Sequence, residues 1–249
     1  RGFIKTGLGK RIAYNLIAAF GSSSLRLSYA LALSDLILAP ATPSNTARVG
    51  GVIMPITTSL AKAFGSEPQD GPRKIGSFLM QSIYQVNTIT SAMFQTSMAG
   101  NTLVAALALQ SFGIGITWGD WAMAAIVPGI IALIIMPYFI YKVYPPEIKD
   151  AREAQQMIRE ELKGLGKMSF QEWVMLGVFV LALVLWATSQ FTKIDATTVA
   201  FLGISILLAT SVLVWDDVKS EKGAWDTLVW MGTLMGFAGF LSKLGFIKW

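Results

Sequence analysis

Apolar residues run through this chain in long blocks, and the breaks between the blocks decide the architecture. Residues 1–20 have helical spacing. Phe3, Ile4, Leu8, Ile12, Leu16 and Ile17 fall on one side, with Lys5, Lys10 and Arg11 mostly on the other. That predicts an amphipathic helix lying in the membrane interface rather than a span. Gly21-Ser-Ser-Ser24 ends it. Residues 25–39 are apolar apart from Arg26, two serines and Asp35. At about 1.5 Å per residue they reach roughly 22 Å, short of a hydrocarbon core of about 30 Å. Pro40 and Pro43 break the run, and Ser44-Asn45 is placed to cap a second limb over 47–64. Two short limbs meeting at a Pro-Ser-Asn-Thr tip predict a re-entrant hairpin over 25–64, in preference to two strained full spans.

A polar connection over 65–74 precedes a long apolar stretch, 75–116, interrupted by Thr96-Ser-Met-Ala-Gly-Asn101. That reads as a broken helix with its unwound part at membrane depth. Residues 121–141 form a span with aromatic residues at both ends, kinked at Pro128 or Pro137. The strongly charged segment 145–168 reads as a linker helix on the membrane surface. Its Lys/Arg content places it on the cytoplasmic side, or the stromal or matrix side of an organelle. Spans are expected over 173–188 and 196–215, followed by an amphipathic helix from 225. Gly2-Phe-Ile-Lys-Thr-Gly-Leu8 is echoed by Gly239-Phe-Leu-Ser-Lys-Leu-Gly-Phe246 with one inserted residue, where a second copy of the opening helix would fall. Hence 1–144 reads as the end of a first repeat and 169–249 as the truncated start of a second.

Composition supports the membrane reading. Hydrophobic residues make up 53% of the 249 and charged residues 14%, against roughly 25% charged in a soluble domain. Mean hydropathy is +0.55. The net charge of +5 does not indicate nucleic acid, because the basic residues sit in short segments between apolar runs. With no Cys and no His, disulfides, thiolate or imidazole metal sites and His-based acid–base chemistry are excluded. No Walker loop, dinucleotide fingerprint or paired catalytic carboxylates occur, so an enzyme is not expected. The chain opens on Arg1 and stops at Trp249 inside an apolar pattern, and is read as a fragment whose targeting peptide is not legible.

Candidate chemistry concentrates at the two interruptions. Ser44, Asn45 and Thr46 stand where a limb begins, and a helix N-terminus with hydroxyl and amide neighbours suits a carboxylate or phosphate. Carbonyls ending the first limb, near Ala39 and Ala41, could instead face a cation such as Na⁺. The plainer reading is a capped turn packed against other helices. Arg48 and Asp35 are ionisable groups inside apolar arms. Arg48 serves either as counter-charge for an anionic substrate, or as the partner of Asp35 locking the hairpin, or as a side chain reaching the interface. Thr96, Ser97 and Asn101 supply hydroxyls and an amide, with Gly100 permitting unusual dihedrals; a small-residue packing face is the alternative. Gln81, Gln85, Asn87 and Gln95 read as interhelical hydrogen-bonding residues.

The chain resembles the divalent anion–sodium symporter superfamily, most nearly its citrate/succinate antiporter and plastid 2-oxoglutarate/malate translocator branch. The resemblance is carried by Arg1-Gly-Phe-Ile-Lys-Thr-Gly-Leu-Gly9, Ala39-Pro-Ala-Thr-Pro-Ser-Asn-Thr-Ala-Arg-Val-Gly-Gly51, Tyr144-Pro-Pro-Glu147 and Ser220-Glu-Lys-Gly-Ala-Trp-Asp-Thr-Leu228. It implies a full-length protein about twice this length built from inverted repeats. It further implies a homodimer in which one domain moves like an elevator past a fixed scaffold. By position it implies that Ser44, Asn45 and Thr46 contact a substrate carboxylate and, in symporters, a first Na⁺ site at Ser44, Asn45 and Gly100. The Na⁺-coupled branch typically carries a Gly-Thr-x-Pro-Asn type loop at the second break. Here that loop reads Thr-Ser-Met-Ala-Gly-Asn, and Thr42-Pro43 also departs from common symporter versions. Both departures lean toward exchange.

The expectation is therefore an all-α polytopic membrane protein, an inverted-repeat secondary carrier of di- or tricarboxylates. It would sit in a bacterial inner membrane or plastid inner envelope. The expected substrate-binding residues are Ser44, Asn45, Thr46, Arg48, Thr96, Ser97 and Asn101. No cofactor is expected beyond Na⁺ as a coupling ion. The rivals are a Na⁺-coupled dicarboxylate or sulfate symporter and a non-transporting membrane scaffold.

Overall fold

A computed structural model describes residues 1–246 and is helical throughout, apart from an isolated β-bridge between Ser23 and Asp150. The single amphipathic helix expected over 1–20 is instead two, α1 (Gly2–Thr6) and α2 (Leu8–Phe20). Gly7 divides them at φ 80°, a left-handed conformation that glycine adopts without steric cost. The break lets Phe3 pack edge-on against Phe179 at 5.3 Å while α2 buries Leu8, Ala13, Tyr14 and Ile17. Ile4, expected on the buried side, is exposed.

Ser23 caps α3 (Ser24–Leu38) by accepting from the Arg26 amide. The chain then tightens into a 3₁₀ turn at Ala39–Ala41 and turns back at Pro43. The second limb is a continuous helical rod over 45–63: α4 (Asn45–Arg48), a π-helical turn (Val49–Ile53) and α5 (Met54–Ala63). Pro55 has no N–H for the Gly51 carbonyl, which suits the wider turn just before it.

The broken helix comprises α6 (Gly76–Met93) and α7 (Ala99–Phe112). The unwound part runs over 94–98, so it starts two residues earlier than the sequence motif. Asn101 already belongs to the first turn of α7. Gly100 is helical and is absent from the left-handed glycines, so the break does not use its conformational freedom. A Thr117–Asp120 capping box starts α8 (Trp118–Val143) three residues ahead of the expected 121. After the linker helix α9 (Arg152–Gly164), a second capping box at Ser169–Glu172 opens α10 (Phe170–Ala187). The short α11 (Ser189–Thr192) leads to α12 (Ala196–Ala209), α13 (Trp215–Lys219) and α14 (Lys222–Lys243).

Among the described residues, α8 and α10 are long and apolar enough to cross a membrane. The span expected over 196–215 is not one helix. It stops at Ala209, where the Thr210 N–H and hydroxyl both return to the Ile206 carbonyl and Ser211 turns left-handed at φ 57°. The expected amphipathic helix from 225 starts at Lys222 and buries none of its residues; its part beyond 246 lies outside the described residues. The sequence echo has a conformational counterpart. Gly245 at φ 77° follows the last turn of α14 as Gly7 at φ 80° follows α1.

Polar segments gather at one end of the bundle. Glu147 and Ile148 amides donate to the Arg73 and Lys74 carbonyls, and Ser24 and Ala151 amides pair with the Lys149 and Ser22 carbonyls. The opening helices tie this end together. Arg11 forms an ion pair with Glu172 at 2.6 Å, and Gln155 and Arg159 of α9 donate to the Ala18 carbonyl that ends α2. Lys5 binds Asp217 at 2.5 Å, and this ammonium holds the Asp217 carboxyl below its usual range, so the α1–α13 link stays charged at neutral pH.

Helices α6 and α8 make the most intimate contact in the hairpin half. A Cβ added at Gly129 would come within 2.6 to 2.8 Å of Cγ, Sδ and Cε of the buried Met93, so that whole side chain would have to shift inside the packed core. Gly177 on α10 has open space around it. Gly129→Ala should lower the melting temperature of the intact protein in detergent, by overpacking worth about 1–3 kcal/mol. Gly177→Ala should be neutral or mildly stabilising by helix propensity. Equal melting temperatures for the two variants would refute this packing.

Candidate functional site

A buried ion pair joins the hairpin to the broken helix. Arg48 and Asp35 are 1% and 2% exposed, and Arg48 Nε donates to Asp35 Oδ1 at 2.8 Å. The rest of the guanidinium is used as fully. Nη1 donates to the Thr42 carbonyl at 3.2 Å and the Ser97 carbonyl at 3.3 Å. Nη2 donates to the hydroxyls of Thr90 at 3.1 Å and Ser91 at 3.0 Å. Each guanidinium N–H therefore has an acceptor, the condition under which a buried arginine is tolerated. Asp35 Oδ2 accepts from Asn87 at 3.3 Å and from the Thr90 hydroxyl.

The same accounting explains why the helix can unwind at 94–98. Unwinding frees the last carbonyls of α6. Asn101 Nδ2 caps the Ser91 and Phe94 carbonyls at 2.7 and 2.9 Å, and Ser97 Oγ reaches the same two at 2.7 Å. Thr96 Oγ1 donates to the Pro40 carbonyl at 2.5 Å and accepts from Trp118 Nε1 at 2.9 Å. Trp118 lies in a stack between Phe94 (5.6 Å) and Trp186 (6.2 Å). The hairpin crest and the break are thus bonded to each other, and both face α10.

The tip behaves differently. Ser44 caps the rod by accepting from the Ala47 amide at 3.2 Å, and Asn45 Oδ1 accepts from the Thr46 amide at 2.8 Å. Ser44 and Thr46 are exposed and Asn45 is half-buried. Among the described residues, neither the Asn45 backbone N–H nor its side-chain Nδ2 makes a hydrogen bond. Pro43 and Ala47, on either side of the triplet, line a largely apolar cavity of about 530 Å³ between the hairpin, Phe3 and Leu207. A second cavity of about 360 Å³ lies between Pro40, Thr96, Met98 and Trp186, with Ala99 at the N-terminus of α7 on its wall.

The seven residues singled out in the sequence fall into two groups. Ser44, Asn45 and Thr46 are exposed or half-buried and bonded only within the tip, Thr46 donating to Asn45 Oδ1 through both its amide and its hydroxyl. Arg48, Thr96, Ser97 and Asn101 are buried and bonded to one another's segments. Of the three readings open for Arg48, the geometry is that of the Asp35 pair. Thr90 and Ser91 were not singled out. With Asn87 they form an i, i+3, i+4 polar face on an apolar helix, the spacing that could have revealed them. Among the described residues no cluster of acidic side chains could hold a metal ion, and Gly100 and the Ser44–Asn45 tip lie on separate helix ends.

An all-helical chain with two helices long and apolar enough to cross a membrane, and polar breaks between apolar arms, has the make-up of a polytopic membrane protein. The particular family is given by comparison: residues 1–249 match the sodium:sulfate symporter transmembrane region, and the chain belongs to that family. It is an integral membrane protein of a transporter family, not an enzyme. It is 54% identical to the putative malate transporter YflS of Bacillus subtilis, covering all of this chain and 52% of that protein. It is 47% identical to the inner membrane protein YbhI of Escherichia coli, covering 99% of this chain and 52% of that protein. It is also 47% identical to the chloroplastic dicarboxylate transporter 1 of Spinacia oleracea, covering all of this chain and 44% of that protein. The chain spans about half the length of the curated relatives it matches.

Removing one partner of the buried pair leaves an uncompensated charge, which costs about 3–5 kcal/mol. Asp35→Asn and Arg48→Met should each lower the thermal stability of the intact protein strongly. Asp35→Asn combined with Arg48→Met should lose clearly less than the sum of the singles. Strict additivity in the melting curves would show that the pair does not hold the hairpin.

Proposed function

We propose that the intact protein is a secondary carrier that exchanges dicarboxylates, with Ser44, Asn45 and Thr46 receiving one substrate carboxylate. The supporting observation is the tip itself. An unbonded amide N–H and an unbonded side-chain NH₂ stand at the N-terminal, positive end of a continuous helical rod beside a cavity. Relatives named as a putative malate transporter and as dicarboxylate transporters favour malate, 2-oxoglutarate or succinate over other anions, with citrate a larger member of the same class.

Exchange is favoured over cation coupling by what Arg48 already does. Its guanidinium fills the Thr42 and Ser97 carbonyls, at the crest and the break, with a fixed positive charge. Carbonyls so occupied are not free to strip the hydration shell from Na⁺. Alternating access would carry the hairpin and broken helix together past α10 and α12, in a homodimer as the family resemblance implies. In an exchanger the loaded form is the mobile one, so each substrate drives the return of the other. A Na⁺-coupled sulfate or dicarboxylate symporter is the second reading, favoured by the description of the matching family.

Uptake of labelled malate into liposomes holding the intact protein tests this, with and without a Na⁺ gradient and with and without internal dicarboxylate. Uptake should require internal dicarboxylate and ignore Na⁺; uptake driven by Na⁺ with empty liposomes would establish the symporter instead. Asn45→Ala should reduce uptake roughly tenfold or more, the worth of a lost hydrogen bond to a charged group. Its melting temperature should fall only slightly, because the free Nδ2 supports nothing in the fold and Oδ1 accepts only from its exposed neighbour Thr46. Unchanged uptake would remove the tip from the substrate site.

A further inference from the structure

Arg26 lies at the polar end of the bundle, two residues into α3, and its guanidinium is exposed. Its hydrogen bond is to a neutral group, the Ser22 hydroxyl at 3.1 Å, and it has no ion pair among the described residues. The Asp150 carboxylate, whose backbone bridges to Ser23, is already taken by Arg152 at 2.5 to 3.1 Å. Beside Arg26 opens a furrow of about 470 Å³, floored by Ala19 and Ala30 and walled by Phe20, Tyr29 and Leu33. A second hollow of about 230 Å³ shares Tyr29 and Leu33 and continues between α3 and α8 to Leu36 and Ile130. Tyr29 does not close the furrow with a free hydroxyl, since its OH donates to the Ile134 carbonyl at 2.5 Å.

The geometry points to a binding site for one anionic phospholipid of the leaflet on the linker side. The phosphodiester would meet the Arg26 guanidinium, and an acyl chain would lie along the α3–α8 furrow. Length supports this occupant: the ten helical steps from Arg26 to Leu36 extend about 15 Å, which is half a hydrocarbon core of about 30 Å. Polarity supports it too, because the uncompensated charge sits at the interface end and the hollow above it is apolar. A soluble anion would find the guanidinium but have no use for the furrow. Since α3 is the first limb of the hairpin, the bound lipid would contact the element that carries the tip.

Native mass spectrometry of the intact protein, released from micelles containing matched phosphatidylglycerol or phosphatidylcholine, tests the assignment. Phosphatidylglycerol should be retained in preference by roughly fivefold, the worth of one basic group at an anionic lipid surface. Arg26→Gln should reduce that retention to the phosphatidylcholine level, and Arg26→Lys should keep it. Leu33→Trp, which fills the furrow, should weaken retention of both lipids. Arg26 is exposed and carries none of the core, so Arg26→Gln keeps the test valid if Leu33→Trp fails to fold; melting curves distinguish the two. Equal retention of the two lipids by the unmodified protein, or a preference that survives Arg26→Gln, would overturn the site.

Discussion

A guanidinium that is 1% exposed between two apolar limbs is tolerable only if its charge and all its N–H groups are met, and much of this structure follows from meeting them. Asp35 supplies the charge from the opposite limb. The Thr42 carbonyl is available because the chain leaves helical geometry after Ala41, and the Ser97 carbonyl because α6 unwinds after Met93. Thr90 and Ser91 complete the set from α6. The two irregular segments are therefore not independent defects. Each exposes backbone acceptors, and one side chain from the hairpin satisfies acceptors in both. A displacement of the hairpin relative to α6 would strand a buried charge, so these elements form one unit in any rearrangement.

Features with a local cause could be read from the sequence. Two prolines and a limb too short to span predicted the hairpin, and Ser44, read as a cap, does start its second limb. The capping boxes Thr117–Asp120 and Ser169–Glu172, equally local, went unread and start α8 and α10 three residues before the expected positions. Features with a tertiary cause could not. No breaker residue stands at Phe94 or Gln95, yet the helix ends there, because its carbonyls find Asn101 and Ser97 while Trp118 and Pro40 hold Thr96. Gly100, the apparent breaker, is helical. The early end of α12 has the same character: Ser211 takes a left-handed turn that its residue type does not announce. For Arg48 the sequence supported several roles, the pair with Asp35 thirteen positions away among them, and only the folded limbs single that pair out.

The site divides along the same line. Residues whose polar atoms are consumed by the fold, Arg48, Thr96, Ser97 and Asn101, look identical in sequence to residues that keep theirs free. Burial and hydrogen bonding separate them, and type does not. Gly7 and Gly245, which stand in the short sequence echo, are both left-handed, as are Gly65, Gly71, Gly113 and Gly166 outside it.

Charge balance then bears on how a dicarboxylate could be held. Arg48 and Asp35 cancel, so the node beneath the tip is close to neutral and offers little net attraction to an anion. What remains are the helix ends at Asn45 and Ala99, each worth about half a positive charge. Together they approach one unit, against roughly two on a dicarboxylate at neutral pH. One carboxylate can be met by this hairpin and its broken helix; the second needs a comparable set of donors that these elements do not contain. The chain spans about half the length of its relatives, which leaves room for such a set in the intact protein.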